Sequence, residues 1–268
     1  MKFFALITVA LLATAYHAFA QELYVNTEPA SNMATNSIGI RAENQGYFNP
    51  GYKNRSTLEA MYGASKNLML HGSVYRSNYY QSQQRFEGGS VYAKYRFLSV
   101  DSVQSHFRGA VFVKAASINN PVINQEIALE GDNTGVQTGA IFTKLMHKLA
   151  ISGSGSYLRA FNNGGSNNLP LSNARDAVAY SLSAGYLLFP KVYENYDQVN
   201  MNLYLELLGK SNVGYNQSYL DAAPGVQFIF NSVFRVDVSY RTALYNNMIR
   251  NTNNMYLIRL EYNFFNVF

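Results

Sequence analysis

Few side chains here can do chemistry near neutral pH, and they are scattered. Histidine occurs four times, at His17, His71, His106 and His147, and cysteine not at all, which excludes thiolate nucleophiles and disulfide scaffolds. Hydrolysis needs a nucleophile, a base and an orienting group within hydrogen-bond reach, and no Ser/His or Asp/His motif surrounds His71, His106 or His147. Three separated histidines also make a poor metal site. Ser152-Gly153-Ser154-Gly155-Ser156 lacks the glycine spacing and following helix of a nucleotide-binding loop, so it reads as close-packed strand. Asn54-Arg55-Ser56 and Asn216-Gln217-Ser218 match glycosylation acceptors but read as ordinary loop residues. The expectation is a protein with no enzymatic activity, cofactor or metal.

The charged residues carry more information, because they alternate with apolar ones. Phe234, Val236, Val238 and Tyr240 interleave with Arg235, Asp237, Ser239 and Arg241; Tyr256, Ile258, Leu260, Tyr262 and Phe264 interleave with Leu257, Arg259, Glu261 and Asn263. A period of two is the mark of a strand with two different faces. Across the chain the polar parity collects Arg41, Lys94, Arg96, Arg108, Lys114, Arg235, Arg241 and Arg259, with Glu43, Glu59, Glu206, Asp237 and Glu261, a surplus of three cations. Such a face can do one of two things. Its charges can neutralise one another, sparing the cost of unpaired buried ions, or they can form a weakly anion-attracting constriction.

The elements that must position these residues are twelve two-faced segments, at 37–43, 56–64, 67–76, 87–97, 105–115, 134–143, 148–160, 177–189, 198–210, 220–230, 233–244 and 254–264. Most approach the roughly 9 to 11 residues that a tilted strand needs to cross a bilayer. Connections after odd-numbered segments are long and rich in Asn, Gly and Ser, whereas those after even-numbered ones are mostly short, with 98–104 and 190–197 longer than the rule asks. Short turns on one rim and long loops on the other are the pattern of a transmembrane barrel. Apolar residues make up 48% and aromatics 15% of a 268-residue chain with mean hydropathy of -0.14, and no stretch past the N-terminus is apolar enough for a spanning helix. Residues 3–15 form a short apolar run after Lys2, and Ala18-Phe19-Ala20 supplies a small-x-small cleavage pattern, so 1–20 reads as an export signal. Export excludes cytosolic enzymes and nucleic-acid binders. The expected organisation is a signal at 1–20, a short periplasmic N-terminal segment at 21–36 and a barrel at 37–268.

Aromatic residues of the apolar parity gather at segment ends, as interfacial girdles require. Tyr62, Tyr95, Phe97, Phe107, Phe142, Tyr186, Phe228, Phe230, Phe234, Tyr262 and Phe264 fall near the short-turn rim; Tyr157, Tyr240 and Tyr256 fall near the other. The sequence ends in Phe268 after a last segment that alternates aromatic and polar residues. In these features it resembles the bacterial outer-membrane β-barrel proteins. The resemblance is at the level of that class, with no motif of a particular transporter or enzyme family. It implies an antiparallel up-and-down barrel in the outer membrane, with short periplasmic turns and long extracellular loops. It also implies that Tyr262, Phe264 and Phe268 act as the assembly signal, and that the partners are the lipid bilayer and the outer-membrane assembly machinery. A secreted β-sandwich shares the alternation, but not the strand lengths, the loop asymmetry or the terminal aromatic.

Closing the twelfth segment onto the first places Arg41 and Glu43 beside Arg259 and Glu261. About eight strands leave little lumen and about 16 to 18 leave an aqueous channel, so twelve predict a narrow or partly plugged one. Two functions fit: a passive channel for small polar or anionic solutes, or a non-conducting anchor or partner platform in a surface or secretion assembly. The segment 116–133 bears on the choice. It holds Glu126, Glu130 and Asp132 without a Lys or Arg, and Ile118, Val122, Ile123, Ile127 and Leu129 besides. Either it folds inward, its carboxylates on lumen cations and its aliphatics on wall tyrosines such as Tyr92, or 125–130 extends the sixth strand beyond the membrane.

Overall fold

The computed structural model describes residues 24–49, 51–191 and 198–267; the export signal expected at 1–20, residues 192–197 and Phe268 lie outside the described residues. Twelve strands follow in order: β1 (Ile38–Tyr47), β2 (Lys53–Gly63), β3 (Leu68–Ser77), β4 (Arg85–Ser102), β5 (Ser105–Ile118), β6 (Gly135–Met146), β7 (Leu149–Ala160), β8 (Asp176–Phe189), β9 (Asn200–Asn212), β10 (Ser218–Phe230), β11 (Phe234–Asn246) and β12 (Asn254–Phe264). Each pairs antiparallel with its neighbours in sequence, and β12 closes on β1. One sheet closed on itself rules out the sandwich.

Two expected connections change length. The turn expected at 98–104 shrinks to Val103 and Gln104, because β4 continues to Ser102 past a bulge at Phe97, and Ser102 pairs with Ser105. On the other rim β1 and β2 pair out to Tyr47 and Lys53, leaving a loop of only 48–52. Asn54 and Arg55, read as loop residues from sequence, therefore belong to β2.

The two faces are inverted relative to a water-soluble protein. Arg235 is 2% and Lys94 0% exposed, while Val238 is 42%, Leu58 55% and Val91 64% exposed. Polar side chains fill the interior, and the outward rows of Ile40, Leu58, Leu70, Val111, Val113, Leu182, Leu205, Ile258 and Leu260 form an apolar belt. An outward apolar belt around a polar interior is the arrangement of a transmembrane barrel.

A second bulge departs from simple alternation. Tyr75 pairs with Gly88 and Arg76 with Phe86, so Glu87 is inserted without a partner. Gly88 stands at φ 142°, and a Cβ there would lie 2.1 Å from the Ser117 carbonyl oxygen, so the bulge requires glycine. The extra residue turns Glu87 into the lumen, on the side opposite to its sequence parity.

Candidate functional site

The antiparallel register sets charges of opposite sign against each other across four adjacent strands. Arg41 on β1 lies across from Glu261 on β12 and Glu59 on β2, and Glu43 across from Arg259; Arg235 on β11 faces Glu261, and Asp237 faces Arg259. The side chains meet accordingly. Arg41 Nε donates to Glu261 at 2.8 Å and its Nη1 to Glu59 at 2.9 Å; Arg259 Nε reaches Glu43 at 2.9 Å and Arg235 Nη2 reaches Glu261 at 2.7 Å. Arg241 pairs with Asp221 on β10. Because these ions are buried, each needs its partner and its hydrogen bonds to offset desolvation. Period two and the register supply both.

The N-terminal segment, expected as a periplasmic extension, instead crosses the lumen. Asn36 hydrogen-bonds Gly63 at the turn rim, and the chain then runs inward past Met69, Lys94 and Thr143 to Glu206. Glu206 is fully buried, and its neutralising partners are hydrogen-bond donors. It accepts from the backbone N–H of Val25 at 3.1 Å and of Asn26 at 2.7 Å, and from the Thr27 hydroxyl at 2.7 Å. Lys94 Nζ donates to the Pro29 and Ser31 carbonyls at 2.7 and 2.8 Å, and Arg108 to the Ser31 hydroxyl at 2.9 Å. Glu28 joins Arg41 at 2.9 Å. Burial pushes the Glu28 carboxyl up, but Arg41 and Lys94 outweigh it and hold it well below the usual carboxylate range. Tyr24 and Val25 pack with Leu145, Ala150, Tyr204 and Leu257, an apolar patch inside an otherwise polar lumen.

From the other rim the β5–β6 loop, residues 119–134, folds inward. Its backbone from 121 to 130 forms no strand, which removes the extended-sixth-strand alternative. Glu126 accepts from Lys210 at 3.0 Å and from the Tyr219 hydroxyl at 2.9 Å; Glu130 pairs with Lys114; Asp132 pairs with Arg55, whose other face holds Glu87 at 2.6 Å. For Glu126 and Glu130 burial pushes upward, yet Lys210 and Lys114 respectively prevail and hold each at about 2. Burial wins at Asp132, whose carboxyl is raised. Ile118, Ile127 and Leu129 are buried against Tyr75, Leu158, Leu169 and Ala177. The wall tyrosine they meet is thus Tyr75; Tyr92 lies elsewhere, its ring between His71 and Phe112. The β11–β12 loop adds Arg250, bound to Asp221 at 2.7 Å, and its Ile249 carbonyl accepts from Gln125 N–H at 2.8 Å.

Between the N-terminal segment and the β5–β6 loop lies a chamber of about 400 Å³. Of the residues singled out in sequence, Arg41, Glu43, Glu59, Lys114, Arg241 and Arg259 line it; Lys94, Arg108 and Glu206 hold the N-terminal segment; Arg235, Asp237 and Glu261 brace the wall. Arg96 is apart, its guanidinium on the Lys66 carbonyl at the turn rim. Tyr262 and Phe264 face outward, 43% and 49% exposed. His71 points inward with Nδ1 3.4 Å from Glu59, His106 is buried in β5, and His147 occupies a turn at φ 55°. Among the described residues no cluster could hold a metal ion. Ser152, Ser154 and Ser156 bond to Thr143, Ser181 and Gln137, a neutral hydroxyl-bearing stretch of wall.

Sequence reasoning missed Glu28, Arg55, Glu87, Lys210, Asp221 and Arg250. Lys210 and Asp221 stand on the polar parity of their strands and were legible there; Glu87 was hidden by the bulge, and Glu28 and Arg250 by lying outside any strand.

The fold is that of outer-membrane β-barrel channels. The COG4313 outer membrane channel from Pseudomonas putida F1 superposes over 90% of this chain and 100% of its own, with TM-score 0.57 and 13% identity. The KdgM porin, solved in complex with disordered oligogalacturonate, covers 85% of this chain and 99% of its own, with TM-score 0.49 and 12% identity. No protein-family model matches the chain, and a comparison with curated proteins finds no match.

Proposed function

We propose that this protein is a narrow, gated outer-membrane channel for small polar or anionic solutes, without catalytic chemistry. The observation that carries the reading is the chamber itself, a cavity lined by ion pairs and hydroxyls between two inserted segments of chain. The inserted segments dock through ion pairs and hydrogen bonds, contacts that a polar solute or water can replace, beside the apolar clusters around Val25 and around Ile127 and Leu129. Cations on the wall favour anionic solutes once the loop carboxylates leave. In this reading β12 and the terminal aromatic residues are read by the assembly machinery, and the apolar belt contacts lipid.

The filled lumen also favours a second reading, a non-conducting barrel that serves as an anchor or partner platform. Planar-bilayer recording of the purified protein separates the two. Reproducible openings that are preferentially permeable to anions support the channel. A folded barrel that stays silent across voltages supports the platform.

A further inference from the structure

The lumen cations divide by where their partners come from. Arg235, Arg241 and Arg259 have carboxylates fixed to strands, Asp237 and Glu261, Asp221, and Glu43, and Arg41 has Glu59 and Glu261 on strands besides Glu28 of the N-terminal segment. Lys114 on β5 and Lys210 on β9 are held differently, since the carboxylates on them are Glu130 and Glu126 of the inserted loop. Tyr219 marks how concentrated the positive charge would be without that loop. Lys210, Arg241 and Arg250 lie 5.8, 5.2 and 4.4 Å from its ring centroid, and Asp221 is the carboxylate that would stay with them. Tyr92 and His71, which also line the chamber, each keep a buried polar atom, Oη and Nε2, without a protein hydrogen-bond partner.

We infer that Lys114 and Lys210 form an anion-binding site, that Glu130 and Glu126 are its tethered occupants, and that a small solute carrying two or more carboxylates displaces them. The inference rests on the channel reading and names its solute class. Exchange of one carboxylate for another leaves each lysine paired in both states, so the cost of burying an unpaired ammonium is avoided. A monovalent anion satisfies one lysine only, and a neutral solute neither. Departure of the loop also uncovers Ile127 and Leu129, which holds the loop shut until an occupant answers both lysines. The chamber volume falls in the range of small-molecule sites, about 300 to 1,000 Å³, enough for a tricarboxylate.

The test is amide hydrogen exchange of the full barrel in detergent, followed over residues 122–131, in sodium citrate and in sodium chloride at equal ionic strength and pH 7, with spermidine chloride as the charge-reversed control. Citrate should speed exchange of this loop at least tenfold and leave the strands unchanged; spermidine should not. In Glu126→Gln/Glu130→Gln the loop should already exchange fast in chloride and respond no further, and Lys114→Gln/Lys210→Gln should abolish the citrate response. Equal protection in citrate and chloride, an equal response to spermidine, or a wild-type level of protection in Glu126→Gln/Glu130→Gln overturns the proposal. Bilayer recording keeps the two readings apart: a citrate-responsive loop in a silent barrel removes the channel but not the site, and a conducting barrel with an indifferent loop removes the site but not the channel.

Discussion

Glu206→Ala tests whether the N-terminal segment is a docked, removable plug. The carboxylate accepts two backbone N–H groups, the Asn26 amide and the Thr27 hydroxyl from the segment, and the Ser183 hydroxyl from β8. Hydrogen bonds to a charged group contribute about 1.5 to 3 kcal/mol each. The segment's donors share one acceptor and can rehydrate on release, so the loss of docking is about 3 to 6 kcal/mol, short of the full sum. The segment keeps its other anchors: Val25 in its apolar patch, Glu28 on Arg41, and the carbonyls of Pro29 and Ser31 on Lys94. The variant should therefore loosen the segment locally while the barrel stays intact.

At 1.36 kcal/mol per decade, that loss lowers the protection of the Val25, Asn26 and Thr27 amides by about two to four orders of magnitude. The assay is hydrogen exchange with peptide-level readout, together with single-channel recording. Ile127 and Leu129 should keep their protection, because the loop docks on other residues. Conductance should rise or openings become more frequent. Unchanged protection at 25–27 would refute the argument, and so would a loss spread over all twelve strands, which would make Glu206 a structural group of the wall.

The outward rows make a sharp contrast: Val238→Arg should cost about 2 to 4 kcal/mol in bilayer folding assays, as arginine at mid-depth does on a lipid face, and Gln137→Arg, on the lumen side, much less. Glu126 and Glu130 have folded pKa values of about 2 against the ordinary 4.5, so their stabilisation is complete above 4.5 and is lost as pH falls through about 2. Loop protection should thus be flat from pH 7 to 5 and fall below 4. Asp132 works in the opposite sense: its contribution is present in full below 3.8 and is lost as pH rises through its raised folded value. In Arg241→Gln/Arg259→Gln, Glu43 and Asp237 lose positive charge from the wall, and the anion/cation permeability ratio, read as reversal potential in a salt gradient, should drop; an unchanged potential would place both arginines off the conduction path.

The barrel was legible because its information is local. Two-faced alternation in Val238/Ser239 or Ile258/Arg259 is visible in neighbouring residues, and β12 spans the expected 254–264. Twelve-strand closure then fixes the register that pairs Arg41 with Glu261. The plugs were only half legible. The β5–β6 loop announced itself by acidic and aliphatic residues with no basic ones, and the sequence reading left inward folding and a longer sixth strand both open. Residues 24–36 announced nothing, because a segment with Glu28 as its one charge, hydrogen-bonding through backbone groups, has no periodicity to read. Its acceptor, Glu206, could be found from strand parity, but not what it accepts.

The expected surplus of three lumen cations does not survive the fold, and the reason bears on selectivity. The inward face gains Arg55, Lys210 and Arg250, but also Glu28, Glu87, Glu126, Glu130, Asp132 and Asp221, which cancels the excess. Four of those six carboxylates, Glu28, Glu126, Glu130 and Asp132, belong to the inserted segments, whereas Glu87 and Asp221 are fixed to strands. Among the described residues the closed lumen is therefore close to neutral, and the positive character read from the sequence belongs to the wall alone. It returns in proportion to how far the segments withdraw. On the proposed channel reading, anion preference and opening are then one property: any perturbation that frees a loop carboxylate should both widen the path and restore a cation to it.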